Sequence, residues 1–166
     1  MRFSPPAPCS ALALDIGRRR IGLAGCDGLG ISITPLPALR RAAFEKDLHY
    51  IHQLACQRRV RILVVGLPLD HQQRPTPQAT HCRRYGLKLA RRLANLSLFL
   101  PVAWVNEHCS TWCAGEHFSL HGDRSGKLDS KVAYLLLAQW LREGPQAEPV
   151  TSATTVNGSM GAYDPP

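Results

Sequence analysis

With 166 residues the chain can bury one proper core but not two full α/β domains. A hydrophobic content of 45% and a formal net charge of +8 describe a globular protein suited to a polyanionic partner, nucleic acid ahead of an anionic membrane surface. No run of about 18 apolar residues occurs, and prolines interrupt the N-terminus where a secretory signal would be apolar, so no membrane span or signal peptide is expected.

Residues 1–10 read as a flexible lead-in. Residues 11–15 and 21–26 are apolar runs joined by the turn Gly17-Arg18-Arg19-Arg20, and Ile31 to Leu36 offers a third short strand before Pro37. Connections this short make the three strands antiparallel. Phe44, Leu48, Ile51 and Ala55 recur at helical spacing and predict a helix over Phe44 to Arg58. The run Ile62-Leu63-Val64-Val65, ending at Gly66, is apolar without alternation, which implies a strand covered on both faces.

The polar segment 70–77 reads as a loop, with Thr76 as cap and Pro77 as first residue of the next helix. Ala79, Cys82, Gly86, Leu89, Leu93 and Leu96 fall on one side of that helix, while His81, Arg83, Arg84, Lys88, Arg91 and Arg92 occupy most of the rest. Val102 to Val105 predicts a fifth strand, Ser110 or Thr111 starts a helix running to about Leu120, and a last helix covers 129–142. From 144 to 166 the composition turns to Pro, Ser, Thr and Gly without periodicity, which predicts a disordered tail. The domain is therefore 11–143.

This order predicts an α/β fold: a five-stranded mixed sheet, three antiparallel strands then two parallel ones, with helices on both faces. Right-handed crossovers bring the C-terminal ends of strands one, four and five to one edge. That edge gathers Asp15, Gly66 and Glu107. Six cysteines, at 9, 26, 56, 82, 109 and 113, sit in or beside apolar runs, where reduced thiols in a cytoplasmic protein are the simplest reading.

Asp15 ends the run Ala11-Leu12-Ala13-Leu14, Glu107 follows Val102-Ala103-Trp104-Val105, and Asp129 opens an apolar helix. A carboxylate beside a core is costly unless hydrogen-bonded, paired or cation-bound, and hard divalent cations prefer such oxygens. Asp129, Val132, Ala133, Leu136 and Trp140 share a helix face toward the sheet. A lone first-turn Asp is ordinarily just a dipole-favoured cap stabilised by about 0.5 kcal/mol. Two strand-end acids beside it shift the balance toward a metal site.

The segments LDIGRRRIGLAG (14–25), ILVVGLPLD (62–70), VNEHCST (105–111) and KLDSKVAYLLLAQWL (127–141) resemble, in order and spacing, the YqgF family. Members are described as Holliday-junction resolvases and as pre-16S rRNA nucleases with an RNase H-like fold. The resemblance spans about 11–143 and places the family's three acids on Asp15, Glu107 and Asp129. It implies a hydrolase acting on ester bonds, a divalent-metal-dependent nuclease that processes the 5′ end of pre-16S rRNA in ribosome biogenesis. Two departures stand out: His108 and Cys109 replace the usual Arg and Leu, and Gln73-Arg74-Pro75-Thr76 replaces a loop commonly carrying Gly and Ser or Thr.

Phosphodiester hydrolysis needs an activated water and a neutralised leaving oxygen, which two divalent ions roughly 4 Å apart can provide. Asp15, Glu107 and Asp129 are the candidate ligands for Mg2+ or Mn2+, with Asp15 bridging. Lys127 is a candidate for steadying the scissile phosphate, weighed equally against a solvated loop lysine. Arg18, Arg19 and Arg20 in the turn, then Arg83, Arg84 and Lys88 on a helix face, are candidate contacts to the nucleic-acid backbone. Structured RNA or branched DNA, with ribosomal particles, are the expected partners, for a monomer or a homodimer.

Other classes compete. His108, Cys109, Cys113 and His117 could bind zinc, but no C-x-x-C pair supports them. Asp15-Ile16-Gly17 could cradle ATP phosphates, but that chemistry needs two like domains. A Holliday-junction resolvase, or a non-catalytic RNA- or ribosome-binding factor, keeps the fold and charge. Retention of three acids on a cationic chain argues against mere binding.

Overall fold

The computed structural model describes residues 7–107 and 126–150. The helix expected over about 110–120 and the His108, Cys109, Cys113 and His117 cluster lie outside them. Strands β1 (Ala11–Ile16), β2 (Arg20–Cys26), β3 (Ile33–Arg40), β4 (Ile62–Leu67) and β5 (Val102–Asn106) form one sheet in the order β3-β2-β1-β4-β5. Strands β1, β2 and β3 pair antiparallel, and β4 joins β1 and β5 in parallel, the mixed topology read from the connections. Three helices accompany them among the described residues: α1 (Phe44–Gln57), α2 (Pro77–Asn95) and α3 (Lys127–Glu143).

Alternation along β1 sorts its side chains. Leu12, Leu14 and Ile16 face α1 and α2, where Leu48, Ile51, Leu89 and Leu93 complete a large aliphatic core. Ala11, Ala13, Ala24, Val64 and Ala103 line the other face against Ala133, Leu136, Leu137 and Trp140 of α3. Small residues on that face let a single helix lie close, and each fully buried Leu contributes about 1.5–3 kcal/mol. Asp15, two residues beyond Ala13, faces α3 as well.

Thr76 caps α2 as expected, its Oγ1 accepting from the Ala79 N–H at 3.0 Å, with Pro77 in the first turn. Asp47, buried in α1, accepts from the Ala42 N–H at 3.0 Å and from the Tyr85 hydroxyl at 3.2 Å, tying α1 to α2. The four described cysteines, Cys9, Cys26, Cys56 and Cys82, are free thiols. No helix among the described residues is long and apolar enough to cross a membrane.

The structure moves four boundaries. Strand β3 starts later and runs on through Pro35 and Pro37, because it is an edge strand and a proline there need not donate to a ladder. Leu96, expected on the buried side of α2, is exposed because the helix ends at Asn95. Helix α3 starts at Lys127, after Gly126 at φ 81°, so Asp129 is not its cap. The expected tail does not come loose at 144: Val102 and Glu148 exchange backbone hydrogen bonds of 2.9 and 2.8 Å, and the Trp140 indole donates to the Pro145 carbonyl at 2.8 Å. Ser10, too, is buried and bonds Cys26 and Arg58 carbonyls rather than belonging to a loose lead-in.

Candidate active site

The register leaves Asp15 between two glycines. Gly22 is its partner on β2, and Gly66 directly follows Val65, the partner of Leu14 on β4. Neither neighbour has a side chain to cover the acid. A Cβ on Gly22 would come within 2.0 Å of the Asp129 carbonyl oxygen, so this glycine is what admits the first turn of α3. A Cβ on Gly66 would lie 2.5 Å from Glu107 Oε1 and 2.7 Å from Leu136 Cδ1, so the Glu107 carboxylate lies over this position. Glu107 gets there because its N–H donates to the Leu67 carbonyl at 3.1 Å, prolonging the β4–β5 ladder past Asn106.

The two glycines thus seat the Asp129 backbone and the Glu107 carboxylate near the end of β1. Burial, then Glu107, then Asp129 push the Asp15 carboxyl from an ordinary 3.8 up to about 8. Burial also raises Glu107. Among the described residues, no group of three His, Cys, Asp or Glu side chains is already drawn together around one metal position. Like charges favour rotamers that spread, and the coupling to Asp15 is electrostatic rather than contact. The donor set still suits a hard divalent cation: all-oxygen, partly buried, and unfavourable while every member is charged. Asp70 is not a fourth ligand, since its carboxylate accepts from Gln72 and Arg74 N–H groups and pairs with the Arg74 guanidinium at 2.9 Å.

The other candidates scatter. Lys127 is exposed and shares a groove with Pro35, Pro37 and Ala38 of β3; two helical residues are about 200° apart, so it points away from the side of α3 that carries Asp129. Arg18 and Arg19 are exposed in the turn, which closes through Gly17 N–H to the Arg20 carbonyl at 2.9 Å, and Arg20 is half-buried. Arg83 lies 4.9 Å from the Trp104 ring centre and Lys88 4.0 Å from that of Phe44, packing roles for two presumed backbone contacts. Arg84 instead acts on His81, together with Arg18 and Arg41.

Arg41 and His81 escaped the sequence reading. Arg41 Nη1 donates to the Gly17 carbonyl at 2.9 Å and to His81 Nε2 at 3.1 Å, its guanidinium 4.8 Å from the Tyr85 ring centre. Gln78 Nε2 donates to the Ile16 carbonyl at 3.0 Å. Basic side chains therefore surround the residues immediately after Asp15. The two glycines were visible only as motif letters; their role depends on register, which pairs Gly22 with Asp15.

A family model described as RuvX, Holliday junction resolvase, matches residues 9–143. The chain belongs to the RuvX family. A Synechococcus sp. (strain CC9605) protein named "Putative pre-16S rRNA nuclease" is 60% identical over 159 residues, covering 96% of this chain and 97% of that protein. A Prochlorococcus marinus (strain MIT 9313) protein of the same name is 53% identical, covering 98% of this chain and all of its own length. Among solved structures, T. thermophilus RuvC in complex with a Holliday junction substrate overlays with a TM-score of 0.51 at 11% identity, covering 85% of this chain and 99% of that one. That overlay extends to a RuvX chain the RuvC type of sheet and helices. The RNase H-like fold expected from the sequence is the fold observed.

Proposed function

We propose that this RuvX chain is a nuclease that hydrolyses phosphodiester bonds at the 5′ end of the 16S rRNA precursor, with Asp15, Glu107 and Asp129 as the ligands of magnesium or manganese. The supporting observation is the Asp15 carboxyl, buried at a strand end and pushed up to about 8 by its surroundings and by Glu107 and Asp129. A residue in that position is unfavourable for stability alone, and a divalent charge beside it reverses the sign of the interaction. Bound there, the metal would neutralise charge on the scissile phosphate and lower the pKa of water.

The chain's own residues do the rest. Gly22 and Gly66 leave room for the first turn of α3 and for the Glu107 carboxylate, which brings both to the strand end that carries Asp15. Glu107 and Asp129 flank it from β5 and α3, fixed by the β4–β5 ladder and the packing of Leu136 and Trp140. Arg18, Arg19 and Arg84 add positive charge, which draws the RNA backbone without reading its sequence. Lys127 has no part in this account.

The names of the curated relatives favour RNA, and the family description favours branched DNA. The test is cleavage of a 16S precursor segment and of a four-way DNA junction by the full chain, with magnesium, manganese or chelator. The account predicts metal-dependent cutting of the RNA at one end and its loss in Asp15→Asn. Cutting that persists in that variant overturns the site assignment, and turnover of the junction alone overturns the RNA assignment.

A further inference from the structure

Just beyond Asp15, on the side of the sheet that carries α2, Arg18, Arg41, Pro77, Gln78 and His81 line a cavity of about 400 Å³. Its lining holds two guanidinium groups and an imidazole but no carboxylate, and among the described residues no ion pair engages Arg18 or Arg41. Burial, then Arg41, Arg18 and Arg84, lower the pKa of His81, so the local charge is one-sided. A guanidinium only donates, hence His81 Nε2 accepts from Arg41 and carries no proton there.

Arg41 differs from a solvated surface arginine. It is held by the Gly17 carbonyl and by the Tyr85 ring, so its planar fork is fixed before any ligand arrives. Those two bonds both use Nη1, which leaves the Nη2 and Nε hydrogens of the five N–H donors for a ligand. Gln78, whose Nε2 donates to the Ile16 carbonyl at 3.0 Å and to Cys82 Sγ at 3.7 Å, and Pro77 at the start of α2 complete the wall. Fixed guanidinium donors and excess positive charge facing one cavity suit a tetrahedral anion.

We propose that this cavity binds an internucleotide phosphate of the substrate strand, one that neighbours the phosphate placed at the acids. The inference rests on the nuclease reading. Its anchors, the Ile16 and Gly17 carbonyls, belong to the two residues after Asp15, which ties the pocket to the strand end that carries the acids. An occupied pocket thereby sets which linkage reaches the acids. It positions the strand by charge, since its two guanidinium groups are phosphate-type donors.

The test measures binding, in chelator, of precursor-rRNA oligonucleotides that each carry one neutral methylphosphonate linkage. Wild type, Arg18→Gln, Arg41→Gln and Arg41→Lys are compared, with thermal unfolding as the check on folding; if Arg41→Gln unfolds, the other two variants carry the comparison. The expected result is one linkage whose neutralisation weakens wild-type binding about tenfold but adds nothing in the arginine variants; the salt slope falls by about one in the two glutamine variants and holds in Arg41→Lys, which keeps the charge but loses the fork. Equal losses at every linkage, or the same loss in wild type and variants, overturn the pocket. The nuclease reading is separable: absent cleavage with this coupling intact sinks the nuclease and spares the pocket, and metal-dependent cleavage without coupling does the reverse.

Discussion

Asp15 concentrates the physics of the molecule in one carboxyl. In the fold it releases its proton near 8 rather than at the ordinary 3.8, so the folded chain binds that proton more tightly than the unfolded chain. Stability in chelator is therefore full below 3.8 and declines as pH rises toward about 8, by a few kcal/mol. Denaturant titrations from pH 5 to 8 should show this slope in wild type and a flatter one in Asp15→Asn, which is less active yet more stable at pH 8. Added magnesium should remove most of the wild-type slope, because the ion takes the proton's place. At the same scale, Lys127→Ala should leave kcat within a factor of about three, since the side chain stands off the acid side of α3. A drop of a hundredfold or more would return Lys127 to the site.

At the scale of elements, the strands and acids were readable because alternation, apolar runs and isolated charges are local signals. Asp15 and Glu107 could be placed at strand ends from sequence alone, and the parallel crossover rule put them on one edge. What was not readable depended on pairing. Proline at 37 argued for an early end to β3, and its place at the sheet edge explains why it continues to Arg40. Lys127 looked adjacent to Asp129 in sequence, but a helix that begins at 127 instead of 129 separates them around its axis. Gly22→Ala tests the close approach of α3: the added Cβ meets backbone at 2.0 Å, which α3 can relieve only by lifting away. We expect a loss of about 2–4 kcal/mol by denaturation and a parallel fall in activity. In Gly66→Ala the neighbours are side chains, Glu107 and Leu136, so a milder loss of about 1–2 kcal/mol should accompany a large drop in metal affinity.

At the scale of the whole molecule, residues 144–150 after α3 belong to the body. Glu148 covers the outer edge of β5 at Val102, and Pro145 accepts the hydrogen bond of the fully buried Trp140. Composition suggested a free tail because Pro, Ser and Gly lack periodicity, and two backbone bonds to an edge strand leave no such trace. Truncation after Glu143 should therefore cost about 1–3 kcal/mol more than truncation after Val150, for the exposed edge and orphaned indole. Equal melting temperatures for the two truncations would contradict this attachment. The same layout separates tasks: α1 and α2 build the large core, and α3 closes the small-residue face over the acids.

The convergence of Asp15, Glu107 and Asp129 on one cation-dependent site is tested most directly by manganese binding, followed by calorimetry, in wild type and in Asp15→Asn, Glu107→Gln and Asp129→Asn. Each single variant should lose at least tenfold in manganese affinity together with RNA cleavage, while remaining folded. Wild-type manganese affinity in any one of the three would show that its carboxylate stands outside the site.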